Sequence, residues 1–203
     1  MGENQVRLDR DTHTYYINDV PLSLCVTDVL DLAGLIKPYP PAAMPYVEAA
    51  RDLGQALHEW AEWMDTADPA IDPAAFDVLG GTELLPLVLA FQKFRLEHRP
   101  RWDSIEEPFY RQGVGGTPDR IGTMEMFDGT FATVILDIKT PKQSQAHWQL
   151  QLSAYSWLVP FLECQLFALW LHQDASFELL PYEPAVDVWE GALKVAEWKL
   201  RHG

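Results

Sequence analysis

The chain has 203 residues, 48% of them hydrophobic and 12% aromatic, which suits one domain with a well-filled core. No apolar run reaches the roughly 18 residues of a membrane span, and Met1 to Asp11 is too polar for a secretory signal. Lys and Arg total 15 against 30 Asp and Glu, so the net charge of −15 disfavours a nucleic-acid binder that relies on a broadly basic surface.

The imbalance is not spread evenly. From Gln92 to Lys142 there are eight basic residues (Lys93, Arg95, Arg99, Arg101, Arg111, Arg120, Lys139, Lys142) and eight acidic ones, so the flanks carry all of the excess. Bound divalent cations would make this neutral centre locally positive. The two cysteines, Cys25 and Cys164, sit in apolar stretches and read as reduced thiols of a cytosolic protein.

In chain order, Val6 to Asp31 reads as a small β element followed by a helix start. Tyr15 to Ile17 forms a strand, Asn18-Asp19 a turn, and Thr27 caps a helix from Asp28. Lys37 to Pro45 is a proline-rich loop. Pro45 to Asp65 is a helix whose apolar positions are Tyr46, Ala49, Ala50, Leu53, Leu57 and Trp60, with Arg51, Gln55, His58 and Glu62 as a polar stripe. A loop spans Thr66 to Pro73, and a second amphipathic helix spans Leu84 to His98.

The periodicity then shortens. Ser104 to Gln112 reads as a strand, Gly113 to Pro118 as a turn-rich link, and Asp119–Phe127 with Phe131–Lys139 as an antiparallel pair turning at Asp128-Gly129. A helix spans Ser144 to Phe161, and a hairpin joins Phe167–His172 to Phe177–Tyr182. A closing helix from Asp187 to Arg201 offers Val188, Ala192, Val195 and Trp198 for packing. This order predicts an α/β domain with a central mixed sheet flanked by helices and an N-terminal helical elaboration.

The chemistry concentrates in Gly116-Thr117-Pro118-Asp119 and in the apolar strand ending Asp137-Ile138-Lys139. Strand residues two apart share a face, so Asp137 and Lys139 project together while Ile138 enters the core. Asp119, at the start of the neighbouring strand, meets Asp137 across the pair. Two carboxylates make an oxygen-rich site for a hard cation such as Mg²⁺, with the Ile138 carbonyl as a further ligand. The neighbouring ammonium can position water or neutralise charge developing on a phosphate. An isolated Asp-x-Lys is more often a surface ion pair. Here the strand is otherwise apolar, which favours a site.

Pro118-Asp119 followed by Asp137-Ile138-Lys139 resembles the motif of the PD-(D/E)XK nuclease superfamily. Gln151-Leu152-Ser153-Ala154-Tyr155 resembles the Gln-xxx-Tyr motif of its RecB-like branch, His58 the helical histidine of that branch, and Glu106 the acidic residue ahead of the Pro-Asp strand. The stretch from Thr14 to Thr27 is similar to the start of phage-encoded exonucleases of this type. The resemblance runs from about Arg51 to Trp157. It departs ahead of the histidine, where Asp52-Leu53-Gly54-Gln55 stands in place of an arginine-glycine-threonine.

The resemblance implies a restriction-endonuclease-like core in one domain over 1–203, with 1–100 as N-terminal β element and helices and 101–203 as catalytic core. It implies one or two Mg²⁺ or Mn²⁺ ions held by His58, Asp119, Asp137 and the Ile138 carbonyl, with Glu106 assisting and Lys139 activating water. Four cysteines would be needed for an iron–sulfur cluster, so none is expected. Gln151 and Tyr155 would hold DNA or the lysine. Arg51 and Arg120, with Arg111 and Lys142, are candidates for phosphate contacts. Glu106 and Glu107 are adjacent, so only one faces the metals; the following proline favours Glu106. Trp148 is expected to be buried rather than stacked on a base. The implied activity is a DNA exonuclease in the cytoplasm of a bacterial or phage-infected cell, with DNA as partner, a homo-oligomer or recombination partner open, and no membrane. The alternatives are a binding or assembly module with little catalysis, and an endonuclease.

Overall fold

A computed structural model of the chain describes residues 5–10, 12–67, 82–141, 143–159 and 163–203. Lys142, most of the loop expected to Pro73 and the end of the helix expected to reach Phe161 lie outside the described residues. The elements in order are β1 (Val6–Asp9), β2 (Thr14–Ile17), β3 (Val20–Pro21), β4 (Leu24–Cys25), α1 (Val26–Leu32), a 3-10 turn (Pro41–Ala43), α2 (Met44–Thr66) and α3 (Leu84–His98). They continue with β5 (Arg101–Ile105), β6 (Phe109–Arg111), β7 (Val114–Gly116), β8 (Arg120–Glu125), β9 (Phe131–Lys139), α4 (His147–Leu158), β10 (Gln165–Leu171), β11 (Phe177–Tyr182) and α5 (Val186–His202).

The fold is mixed α/β. Five strands in the order β11-β10-β9-β8-β5 form the main sheet, and β9 and β10 are its parallel pair, joined through α4. The β8–β9 turn forms where Asp128-Gly129 predicts it: Gly129 takes φ +80°, and Asp128 Oδ1 accepts from the Thr130 amide at 2.9 Å. Side chains of β9 alternate between two cores, as strand geometry requires. Ile135 packs with α1, α4 and α5 through Val29, Trp148, Leu152 and Trp189. Val134, Leu136 and Ile138 pack on the other face with Leu57, Ala61, Phe91 and Phe94 of α2 and α3. Complete burial of such side chains contributes about 1.5–3 kcal/mol each.

Several local expectations change. The cap of α1 is Cys25, not Thr27: Cys25 Sγ accepts from the Asp28 amide at 3.4 Å, and Asp28 Oδ2 accepts from the Cys25 amide at 2.9 Å. The stretch from Ser104 to Gln112 is two strands, because Glu106 adopts φ +52° and breaks the extended run. The link from Gly113 to Pro118 contains β7, which pairs with β6 and with β4 and so is a central strand of a second small sheet. The first turns of α2 stand clear of the core, with Tyr46 80% exposed, since the helix meets its cluster only from Leu53 onward and has its first fully buried side chain there at Leu57. On α5 the packed residues are Trp189, Ala192, Leu193 and Ala196, whereas Val188, Val195 and Trp198 face outward. Among the described residues no helix is long and apolar enough to cross a membrane.

Candidate metal centre

The register of β8 on β9, with Arg120 opposite Leu136, carries on to bring Asp119 alongside Asp137 at the strand ends. Both carboxylates are buried. The Ile138 amide donates to Asp119 Oδ2 at 2.6 Å and fixes that carboxylate. Past the end of β5, the left-handed turn at Glu106 lets its amide donate to the Asp119 carbonyl at 3.0 Å and swings its carboxylate inward. Glu106, not Glu107, therefore faces the site, and the turn rather than strand alternation selects it. Helix α2 supplies His58, whose Nδ1 lies 2.9 Å from Glu106 Oε1 and 3.8 Å from Asp119 Oδ1. His58, Glu106 and Asp119 each offer a ligand atom, all within 4.8 Å of one another.

Asp137 is not one of that trio. It is ion-paired with Lys139, the partner two residues along the strand. Lys139 Nζ donates to Gln151 Oε1 at 2.9 Å, and Gln151 Nε2 donates to the Tyr155 hydroxyl at 2.9 Å. The i, i+4 spacing of Gln151 and Tyr155 on α4 produces this relay. Tyr155 is buried, so it holds Gln151 from the core side while Gln151 holds the lysine.

The electrostatics reflect crowded negative charge. Burial pushes Asp137 up to about 6, with Asp119 adding to the rise and Lys139 opposing it. Asp119 is also raised, first by burial, then by Glu106, against the pull of His58 and Lys139. Burial alone would lower His58, yet Asp119 and Glu106 outweigh it and lift the imidazole to about 9. Three carboxylates share one lysine and one histidine here, with Arg120 reaching Glu106 alone, and a carboxylate–imidazole donor set of this spacing fits a divalent cation.

Arg120 corrects an expectation. It is fully buried and is no phosphate contact. Neighbours on a strand face opposite ways, so with Asp119 in the cleft Arg120 turns into the space between α2 and α3. There its Nε donates to Asp65 Oδ2 at 2.7 Å, and its Nη1 donates to the Asp119 carbonyl at 2.7 Å and to Glu106 Oε1 at 3.3 Å. Arg95 Nε closes the group at 2.9 Å from Asp65 Oδ1. Arg111 is occupied too: it donates to the Trp157 carbonyl at 2.5 Å and stacks 4.7 Å above that indole. Arg51 is exposed on α2, two turns before His58. Trp148 is buried, with its ring 6.0 Å from Lys139 Nζ.

One wall of the site has no counterpart among the candidate residues read from the sequence. A cavity of about 220 Å³ opens beside His58, Glu106 and Asp119, and its far side is Leu8, His13 and Tyr15 of the N-terminal hairpin. The Tyr15 hydroxyl hydrogen-bonds Thr117 Oγ1 at 2.9 Å, just ahead of Pro118-Asp119. The Tyr15 ring lies on Gly115, where a Cβ would come within 2.4 Å of it. The paired glycines Gly115-Gly116 before the motif were the available signal, since such a pair marks close approach of another group.

No family model matches this sequence, and no curated protein matches it either. Among solved structures, the crystal structure of SSO0001 is similar at 14% identity, covering 89% of this chain and 76% of that one, with a TM-score of 0.40.

Proposed function

We propose that this chain is a divalent-metal-dependent deoxyribonuclease of the PD-(D/E)XK, RecB-like kind, acting as an exonuclease from a restriction-endonuclease-like core. The observation that carries the reading is the meeting of His58, Glu106 and Asp119 beside the linked Asp137, Lys139, Gln151 and Tyr155. These groups come from five separate stretches of chain, which a chance surface ion pair does not require. His58, Glu106 and Asp119 would hold Mg²⁺ or Mn²⁺, with Asp137 adjacent for a second ion. Such an ion lowers the pKa of bound water and neutralises charge on a phosphodiester. Lys139, fixed by Asp137 and Gln151, points its ammonium where charge accumulates on the scissile phosphate. Tyr155 keeps Gln151 in place, and Arg120 holds Glu106 from behind. The partner is DNA and the compartment the cytoplasm.

The test is degradation of end-labelled linear DNA with Mg²⁺. Lys139→Ala and Asp119→Ala should each lower kcat by roughly 10²–10³-fold or more. Full activity in both variants sinks the mechanism. Supercoiled plasmid should stay intact with an exonuclease and be nicked by an endonuclease. The net charge of −15 favours a second reading, a nucleic-acid-binding or assembly module with little catalysis. Metal-dependent DNA binding without products would select it.

A further inference from the structure

Helix α5 carries two apolar faces. Trp189, Ala192, Leu193 and Ala196 are buried against the body of the protein. Val188, Gly191, Val195 and Trp198 follow one another at intervals of three, four and three residues, the spacing of a helix-pairing seam. At about 100° per residue this seam lies well round the helix from the buried face. All four residues are exposed, Val188 at 50%, Val195 at 44% and Trp198 at 57%. Trp198 is held in place by His202, whose ring stacks on it at 5.0 Å and whose Nδ1 bonds the Trp198 carbonyl at 2.8 Å.

The seam is self-complementary in shape and in charge. A glycine inside a helix costs about 1 kcal/mol relative to alanine, and a Cβ at Gly191 would meet nothing within 4 Å, so its own fold does not require it. We infer that α5 pairs antiparallel with α5 of a second copy of this chain, Trp198 of each copy seating between Val188 and Gly191 of the other. A two-fold axis near the middle of the helix brings this about, and Gly191 is then the hole for the indole knob. The same axis sets Asp187, at the start of each helix, beside Arg201 near the end of the other. Those two residues lie in one row along the seam's edge, so both ends of the pair gain an attraction. Lys194 falls at the centre of that row, opposite its own copy, with Glu190 and Glu197 one turn away on the same helix to offset it.

The helix has 17 residues, so it is about 25 Å long and the seam from Val188 to Trp198 takes about 15 Å of it. That is short of a standard interface of about 1,600 Å², and the dimer should be concentration-dependent. Sedimentation equilibrium of the full chain should show the 23.1 kDa monomer giving way to a species of twice that mass as concentration rises. Trp198→Glu should leave only monomer, with an unchanged circular-dichroism melt. Asp187→Arg and Arg201→Asp should each weaken association by about tenfold, and the double swap should restore it. A wild type that stays monomeric to about 0.5 mM, a dimer that survives Trp198→Glu, or a double swap no better than either single change overturns the pairing.

Discussion

Two groups of buried charge lie on opposite faces of the β8–β9 pair, and they are built to different ends. On the α2–α3 side, Asp65 sits between Arg95 and Arg120, each within 2.9 Å, and Arg120 is fully buried. Its cations are supplied by the chain. On the other side, Glu106, Asp119 and Asp137 outnumber Lys139 and His58, with Arg120 reaching Glu106 alone from behind, and burial shifts both aspartates toward their protonated forms as it does Asp65. The carboxylate of the first group is paired on both oxygens as folded. The second has fewer cations of its own than carboxylates, and the proposed metal ion would supply the difference. Arg120 touches both, through Asp65 and through Glu106, so the first group acts as the frame for the second.

Breaking the frame should have the largest effect. Arg120→Met leaves Asp65 with Arg95 alone and Glu106 with His58 alone, and should cost about 3–5 kcal/mol in urea unfolding, the usual penalty for removing one partner of a buried pair. Asp119→Asn should leave stability equal or higher, because it removes a carboxylate that burial disfavours and keeps an acceptor for the Ile138 amide. Equal losses in the two variants would erase the distinction between the groups.

The next effect is a pH dependence confined to the open group. Without metal, His58 titrates at about 9 in the folded protein against 6.5 when free. A raised pKa means that its contribution is fully present below about pH 6.5 and is lost as pH rises through 9. Unfolding free energy measured in EDTA should therefore fall across that window, and His58→Gln should flatten that part of the curve. An unchanged slope in the variant would assign the effect elsewhere.

The smallest effect tests how the open group reaches outward. Arg51→Ala, at an exposed position, should raise KM for DNA about threefold with kcat intact, and should reduce the salt slope of binding by about one. If kcat falls instead, Arg51 does more than hold a phosphate.

The parts of this site legible in the sequence are those set by local geometry. Lys139 lies two residues from Asp137 on one strand, Tyr155 lies one helical turn from Gln151, and α3 spans Leu84–His98 as its periodicity requires. The parts that escaped depend on partners far along the chain. Arg120 looks like a phosphate ligand until Asp65, 55 residues earlier, is seen to hold it. Strand alternation does not select Glu106 over Glu107, since a left-handed turn replaces the strand. Gly113 to Gly116 is too short and glycine-rich to reveal that it pairs on both sides. The outward face of α5, with Val188, Val195 and Trp198, is as apolar as its core face, so composition alone could not separate the two.

The seating of Tyr15 on Gly115 has a consequence for assembly. The hairpin that carries Tyr15 leaves the ribosome before the surface that receives it, which is formed by residues about a hundred positions later. Loop closure over that length precedes any gain from the contact. The hairpin must stay undocked until β7 has paired with β4 and β6. This early-made hairpin therefore settles late, and the cavity beside His58 and Asp119 acquires its outer wall only when the strands that receive Tyr15 are in place.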